Sequence, residues 1–310
     1  MNNSSSKLSF SRTFLANPKL EFMKVHKLVI ITSVVLIILS ILLTAIRGLN
    51  FGIDFSGGIL IEARLKQNPE LSKIRDLLNK GQIGQFNIQN IDKNGIMIRV
   101  SKSKEQNQNV VVKQIQQLLN DKFPDIEYRK IDFVGPQVGK ELIKKGLLAL
   151  ILSFASIMIY IWIRFDWQFG VGAVAALFHD AILTFGFFAA TGLEFDLTSI
   201  AAILTIIGYS INDSVVIYDR IRENLRRYKK MDLSQLLDLS INSTLSRTIL
   251  TSGITLVSLL ALILFGGQVL KSFSMAVFFG ITIGTYSSIY ISAPILIYMD
   301  PRKKEEKVKL

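Results

Sequence analysis

The chain has 310 residues, of which 50% are hydrophobic and 19% charged, with a formal net charge of +12 and a mean hydropathy of +0.39. That apolar excess argues against a pair of ordinary soluble domains and excludes intrinsic disorder. With no Cys and two His, there is no disulfide framework, no Zn-thiolate site and no thiol nucleophile, and little from which to build a His-based metal site.

Residues 1–27 are polar and basic, and the first few are Ser-rich. Leu28–Ile46 then gives 19 uncharged residues, about 28 Å as a helix, enough to cross a bilayer. The competing reading is a signal peptide. Its apolar region would be shorter and an A-x-A-like site should follow, whereas Thr44-Ala45-Ile46-Arg47-Gly48 follows here, so an uncleaved helix is expected.

Residues 47–145 have soluble composition and alternate between two periodicities. Gly58–Leu65, Ile83–Asn90, Gly95–Ser101 and Ile126–Val134 read as strands. Asn68-Pro69-Glu70 opens a helix, and Asp92-Lys93-Asn94-Gly95 is a hairpin-type turn. Ser103 with Gln106 forms a capping-box pattern before a second helix, whose Val111, Val112, Ile115, Leu118 and Leu119 fall at helical spacing. The order β-α-β-β-α-β predicts a ferredoxin-like α+β domain.

Five more apolar spans follow: Gly146–Ile163, Phe169–Ala190, Leu197–Tyr218, Thr248–Gly266 and Phe273–Tyr298. The expected fold is therefore a polytopic α-helical membrane protein with six spans and one outer domain between the first two. Short-loop charge sets the orientation. Lys7, Arg12, Lys19, Lys24 and Lys27 lie in the first tail, and Arg220, Arg222, Arg226, Arg227, Lys229 and Lys230 follow span four. Arg302, Lys303, Lys304, Lys307 and Lys309 lie in the tail at 299–310. An even span count puts all three on one side, which the positive-inside rule makes the cytoplasm. Asp232 with Gln235 then caps an amphipathic segment within 219–246, with Leu233, Leu236, Leu237, Ile241 and Leu245 on one face, expected to lie along the inner surface.

The intramembrane ionisable residues carry the functional expectation, because they are expensive there. Asp213 lies near the cytoplasmic end of span four. A desolvated carboxyl that gains and loses a proton suits a proton relay; the alternative is that Asn212-Asp213 only holds neighbouring helices. Arg247 starts span five on the same side. Paired with Asp213 it keeps the carboxylate ionised, and separated it permits protonation; the alternative is an arginine reaching lipid headgroups. His179-Asp180 lies deeper, in span three, either in a polar cluster or as a plain interhelical hydrogen bond. Outside span one, Gly52, Gly57 and Gly58 read as a tight turn in which Asp54 or Ser56 bonds the chain. A phosphate loop is rejected because the Gly-Lys-Ser/Thr ending is missing. Gly280 and Gly284 offer a Gly-x-x-x-Gly close-packing face.

Gly52-Ile53-Asp54-Phe55-Ser56-Gly57-Gly58 resembles a motif of the SecD and SecF protein-export membrane proteins. So do Phe195–Ala202, Gly208–Ser214, Asp219–Asn224, Ser246-Arg247-Thr248 with Thr251-Ser252-Gly253, Leu264–Gly267, Gly284–Tyr290 and His179-Asp180. The resemblance covers nearly the whole chain after residue 20. A single insert of about 100 residues is similar to SecF, since SecD carries a larger outer region.

The resemblance implies a member of the resistance-nodulation-division superfamily in the bacterial cytoplasmic (inner) membrane. Both termini would be cytoplasmic and the 47–145 domain periplasmic. The implied partners are SecD, the SecYEG channel, an unfolded preprotein and membrane lipid, and no nucleic acid. It implies a proton-driven transport subunit rather than an enzyme, with protons as the coupling ion and no metal or other cofactor. Asp213, Arg247 and Asp180 would form the proton pathway, with His179, Asn212 and Ser210 as polar support. Two other readings stand beside it. One is a half-transporter for a small apolar molecule or lipid. The other is an intramembrane aspartyl protease using Asp180 and Asp213, for which no Gly-x-Gly-Asp sequence occurs.

Overall fold

The computed structural model describes residues 19–66, 70–84, 86–91, 94–100 and 108–302. The expected helix opening at Asn68-Pro69, the first half of the Asp92–Gly95 turn, the Ser103/Gln106 capping box and most of both tails lie outside the described residues. The chain forms two compact units, one of residues 50–149 with 194–198 and one of the remainder.

The first unit is built on a four-stranded antiparallel sheet. Its strands are β2 (Gly58–Arg64), β3 (Phe86–Asn90), β4 (Gly95–Val100) and β5 (Glu127–Val134), in the spatial order β3-β4-β2-β5. A pair (β1, Asn50–Phe51) and a four-residue helix (α2, Ile53–Ser56) precede them, after the membrane helix α1 (His26–Arg47). Helices α3 (Leu71–Lys80) and α4 (Gln108–Lys122) connect the strands. Strand alternation explains the core. Ile59, Ile61 and Ala63 pair with Val100, Ile98 and Ile96 on one face, and Ile74, Leu78, Val111, Ile115 and Leu119 of the helices cover them. Strand β3 begins at Phe86 rather than at the expected Ile83, after Gly84 with a backbone at φ +93°.

Residues 194–198 join this unit, which the hydropathy pattern did not reveal. β6 (Glu194–Phe195) pairs in parallel with β1, Asn50 opposite Glu194 and Phe51 opposite Phe195. The Phe51, Phe55 and Phe195 rings meet at 5.9–6.1 Å. Arg99 donates to Glu194 of β6. Burial pushes the Glu194 carboxyl up even though the Arg99 charge opposes it.

The Gly-rich segment is more than a turn. The left-handed backbone sits at Gly57 (φ +70°) and Gly58 (φ +132°), while Gly52 is extended. Gly52 sits in close contact: a Cβ there would stand 2.8 Å from Glu194 Oε1 and 3.1 Å from the Asp196 Cβ and would push against both. Ser56 Oγ bonds back to Gly52 O at 2.9 Å. Asp54 instead accepts from Leu197 N at 3.1 Å, fixing the far end of the ribbon.

The second unit is helical. Beside α1 it holds most of α5 (Pro136–Arg164), then α6 (Trp167–Thr191), α7 (Leu197–Arg227), α8 (Leu233–Phe265) and α9 (Gly267–Ser287). A π-helical turn (Ser288–Ser292) and a short α10 (Ile295–Met299) complete it. Six helical stretches among the described residues are long and apolar enough to cross a membrane. Their burial runs opposite to that of a soluble protein. On α1, Leu28, Ile31, Val35, Ile38 and Leu42 are exposed, whereas Ser33 and Ser40 are buried. On α8, Ile254 and Val257 face out while Thr248 and Ser252 face in. Apolar surface turned outward and hydroxyls turned inward is the arrangement a lipid solvent selects.

The amphipathic segment differs from expectation. Asp232 does cap α8, accepting from Ser234 N at 2.9 Å. But Leu236, Leu237, Ile241 and Leu245 are buried against Ile217, Tyr218, Ile221, Phe22 and Met23, so this face is covered by protein rather than membrane. The segment is the first half of one continuous 33-residue helix, about 50 Å long. The expected single sixth span is also interrupted, by the π turn and then by Pro294.

Candidate functional site

Asp180 of α6 is fully buried and fully bonded. Its Oδ1 lies 2.9 Å from His179 Nδ1, and its Oδ2 accepts from Ser210 Oγ of α7 at 2.5 Å and from Ser287 Oγ of α9 at 2.8 Å. Three helices are tied at one carboxylate. Gly284 makes the approach feasible, since a Cβ there would stand 3.0 Å from the Ser210 Cβ and 3.5 Å from Asp180 Oδ2. One turn away, a Cβ at Gly280 would occupy the space of the Ile206 side chain. Gly280→Val is therefore expected to destabilise the bundle by about 1–3 kcal/mol through overpacking, measured by thermal unfolding in detergent.

Asp213 lies three residues beyond Ser210, on the same face of α7. It is 3% exposed, Ser252 of α8 lies beside its carboxylate, and its Oδ2 has no hydrogen-bond partner among the described residues. Ser252 Oγ also meets Thr285 Oγ1 of α9 at 2.8 Å. Arg247 is exposed at the other end of this stretch of α8. Among the described residues no ion pair joins it to Asp213, although its charge lies within electrostatic range. Of the two arrangements the sequence allows, the structure holds the separated one.

Asn212 does not belong to this layer. One helical residue is a rotation of about 100°, and Asn212 is exposed while Asp213 and Ser214 are buried. Sequence reasoning missed the hydroxyls that do belong. Thr248 and Ser252 stand one turn apart on the inward face of α8, Thr285 of α9 meets Ser252, and Ser287 of α9 turns to Asp180 instead. The signal was present as Ser and Thr at i, i+4 spacing inside an apolar span. Among the described residues, no group of three His, Asp or Glu side chains is placed to hold a metal ion.

These observations define a polytopic helical membrane protein with a buried polar layer across four of its helices. Residues 114–302 match the family described as Protein export membrane protein SecD/SecF, C-terminal, and residues 43–69 match the SecD/SecF GG motif. The Protein translocase subunit SecF of Rickettsia conorii is 53% identical over 290 residues, 93% of this chain and 94% of that protein. Its counterpart from Rickettsia akari is 54% identical over 278 residues, 89% of this chain and 90% of that one. The crystal structure of SecDF, a translocon-associated membrane protein from Thermus thermophilus, superposes with a TM-score of 0.84 at 34% identity. That match covers 93% of this chain but 39% of the SecDF chain, so this chain spans well under half of that protein. The chain belongs to the SecD/SecF family of protein-export membrane proteins, as a SecF-type subunit of the protein-translocation machinery.

Proposed function

We propose that this chain uses the proton-motive force, together with a SecD partner and beside the SecYEG channel, to help an unfolded preprotein finish crossing the inner membrane. Asp213 carries the reading. A buried carboxylate with one oxygen lacking a partner is costly, and the cost is relieved in one of two ways: a proton arrives, or a cation is drawn up to it. Arg247 is the cation within range. Alternation between the protonated, separated state and the ionised, paired state would repack α7 against α8, and Ser252 and Thr285 would pass the change to α9. Asp180, already saturated, acts in this proposal as the tie about which the helices move, with His179 and Ser210 as its support.

The α/β unit, with its βαββαβ order and antiparallel sheet, supports a ferredoxin-like domain, and the basic residues of the opposite loops support a periplasmic location for it. The Gly57–Gly58 turn and the β1–β6 ribbon, through Gly52 and Asp54, link that domain to the chain leaving α1 and entering α7. SecD would supply the part of the Thermus protein that this chain lacks. The protein is a transport subunit without catalytic residues, and the proton is its coupling ion. The test is proton flux in vesicles containing this chain and SecD. Flux that depends on both chains and rises with preprotein supports the reading. Stable association with a different membrane partner, and none with SecD, would instead favour a half-transporter for a small apolar cargo.

A further inference from the structure

Both tryptophans of the chain, Trp162 and Trp167, bracket the end of α5 and the start of α6, and both are exposed. Between them stand Ile163, 83% exposed, and Arg164. Trp162 is held in place, since a Cβ on Gly170 would lie 3.0 Å from its ring. Exposed tryptophans beside an apolar helix face mark headgroup depth in a membrane.

At that end a crevice of about 570 Å³ opens between the ends of α5 and α7, lined by Arg164, Arg222, Arg226, Arg227, Asp219 and Glu223. Its two carboxylates are already engaged. Arg164 Nη2 donates to Asp219 at 2.8 Å, and Arg220 Nη1 donates to Glu223 at 2.6 Å. Arg222 donates to the Arg164 carbonyl oxygen at 3.3 Å, and the Arg227 guanidinium lies over the Tyr228 ring, 5.4 Å from its centroid. Neither of these contacts supplies a counter-charge. Arg222, Arg226 and Arg227 therefore converge with no acid partner among the described residues.

We propose that this crevice binds the headgroup phosphate of an anionic phospholipid, with the acyl chains along the exposed Ile159, Trp162 and Ile163 face of α5. Guanidinium forks match phosphate oxygens in pairs, and the adjoining apolar face distinguishes a lipid from a free anion. The assignment of this site to the cytoplasmic leaflet rests on the orientation proposed above; the binding itself does not.

The test uses the full chain in nanodiscs, which present both membrane faces, so binding is read independently of orientation and of export. Discs of phosphatidylcholine with phosphatidylglycerol or cardiolipin are compared by native mass spectrometry for retained lipid. Wild type is expected to retain anionic lipid over phosphatidylcholine. The triple variant Arg222→Gln, Arg226→Gln, Arg227→Gln should lose that retention by about tenfold or more. Lys229→Gln with Lys230→Gln, which removes nearby charge outside the crevice, should hold within about twofold. The triple variant should also melt like wild type in phosphatidylcholine discs. Equal loss in the lysine control would reduce the effect to general surface charge and overturn the site. So would unchanged retention in the triple variant. Glycerol phosphate that displaces the lipid at equal concentration would make the ligand a free anion, and selective capture of an acidic polypeptide with no lipid preference would make it a protein surface.

Discussion

Asp213→Asn is expected to leave the protein inserted, folded and bound to SecD, and to remove the proton-dependent component of export. Asparagine keeps the size but cannot alternate between charged and neutral. Nothing then draws Arg247 in or lets it go. The magnitude follows from the driving force. One proton crossing 100 mV supplies about 2.3 kcal/mol, enough to bias a two-state equilibrium by roughly fifty-fold. Without a titrating group that bias disappears, and export should fall to the level seen when the gradient is collapsed by an uncoupler. Arg247→Met is expected to give the same loss by the opposite route, since it removes the cation that stabilises the ionised state. Arg247 is exposed and makes no ion pair with Asp213 in this structure, so its replacement should leave the melting temperature unchanged. The measurement is translocation into inverted vesicles with and without a proton gradient, at matched protein level. Normal gradient-dependent export by Asp213→Asn would sink the mechanism.

The residues that carry charge inside apolar spans were legible because the membrane makes them conspicuous. Asp180, Asp213 and Arg247 stand out against long runs of Leu, Ile and Phe. The strands and helices of the α/β unit were legible for a local reason also, as period-two and period-3.6 patterns survive without knowledge of partners. What escaped was non-local or sub-turn. The pairing of Asn50 with Glu194 joins segments separated by most of the unit and two membrane helices, and two-residue strands leave no periodic trace. The fate of the Leu236–Leu245 face depended on what covers it, since an amphipathic stripe reads the same against lipid or against Tyr218 and Phe22. Asn212 was grouped with Asp213 because they are neighbours in sequence, but a helix sends neighbours to different faces. Ser252 and Thr285 were invisible as functional groups because hydroxyls are cheap in membrane helices, where they can bond their own backbone.

Asp180→Ala is expected to be the most destabilising polar substitution in the bundle, and Asp180→Asn to be mild. The carboxylate is the common partner of His179, Ser210 and Ser287. Interhelical hydrogen bonds in membranes average about 0.6 kcal/mol, so losing the two from Ser210 and Ser287 costs about 1 kcal/mol, and the lost His179 contact within α6 adds to it. Ser287 recovers part of this through its bond to the Gly284 carbonyl, at 3.1 Å, whereas the buried His179 has no comparable substitute among the described residues. Asparagine retains the shape, and its carbonyl oxygen in the Oδ2 position accepts from both serines, so it should cost less than about 1 kcal/mol. Thermal unfolding of the purified protein in detergent, with both variants beside wild type, reads the difference. Export under a proton gradient then separates a tie from a relay. A tie predicts that Asp180→Asn exports nearly as wild type, because the three helices stay joined. If Asp180→Asn melts like wild type yet loses gradient-dependent export, the proton passes through Asp180 as well as Asp213. The polar layer from His179 to Thr285 would then be a conduction path rather than a hinge.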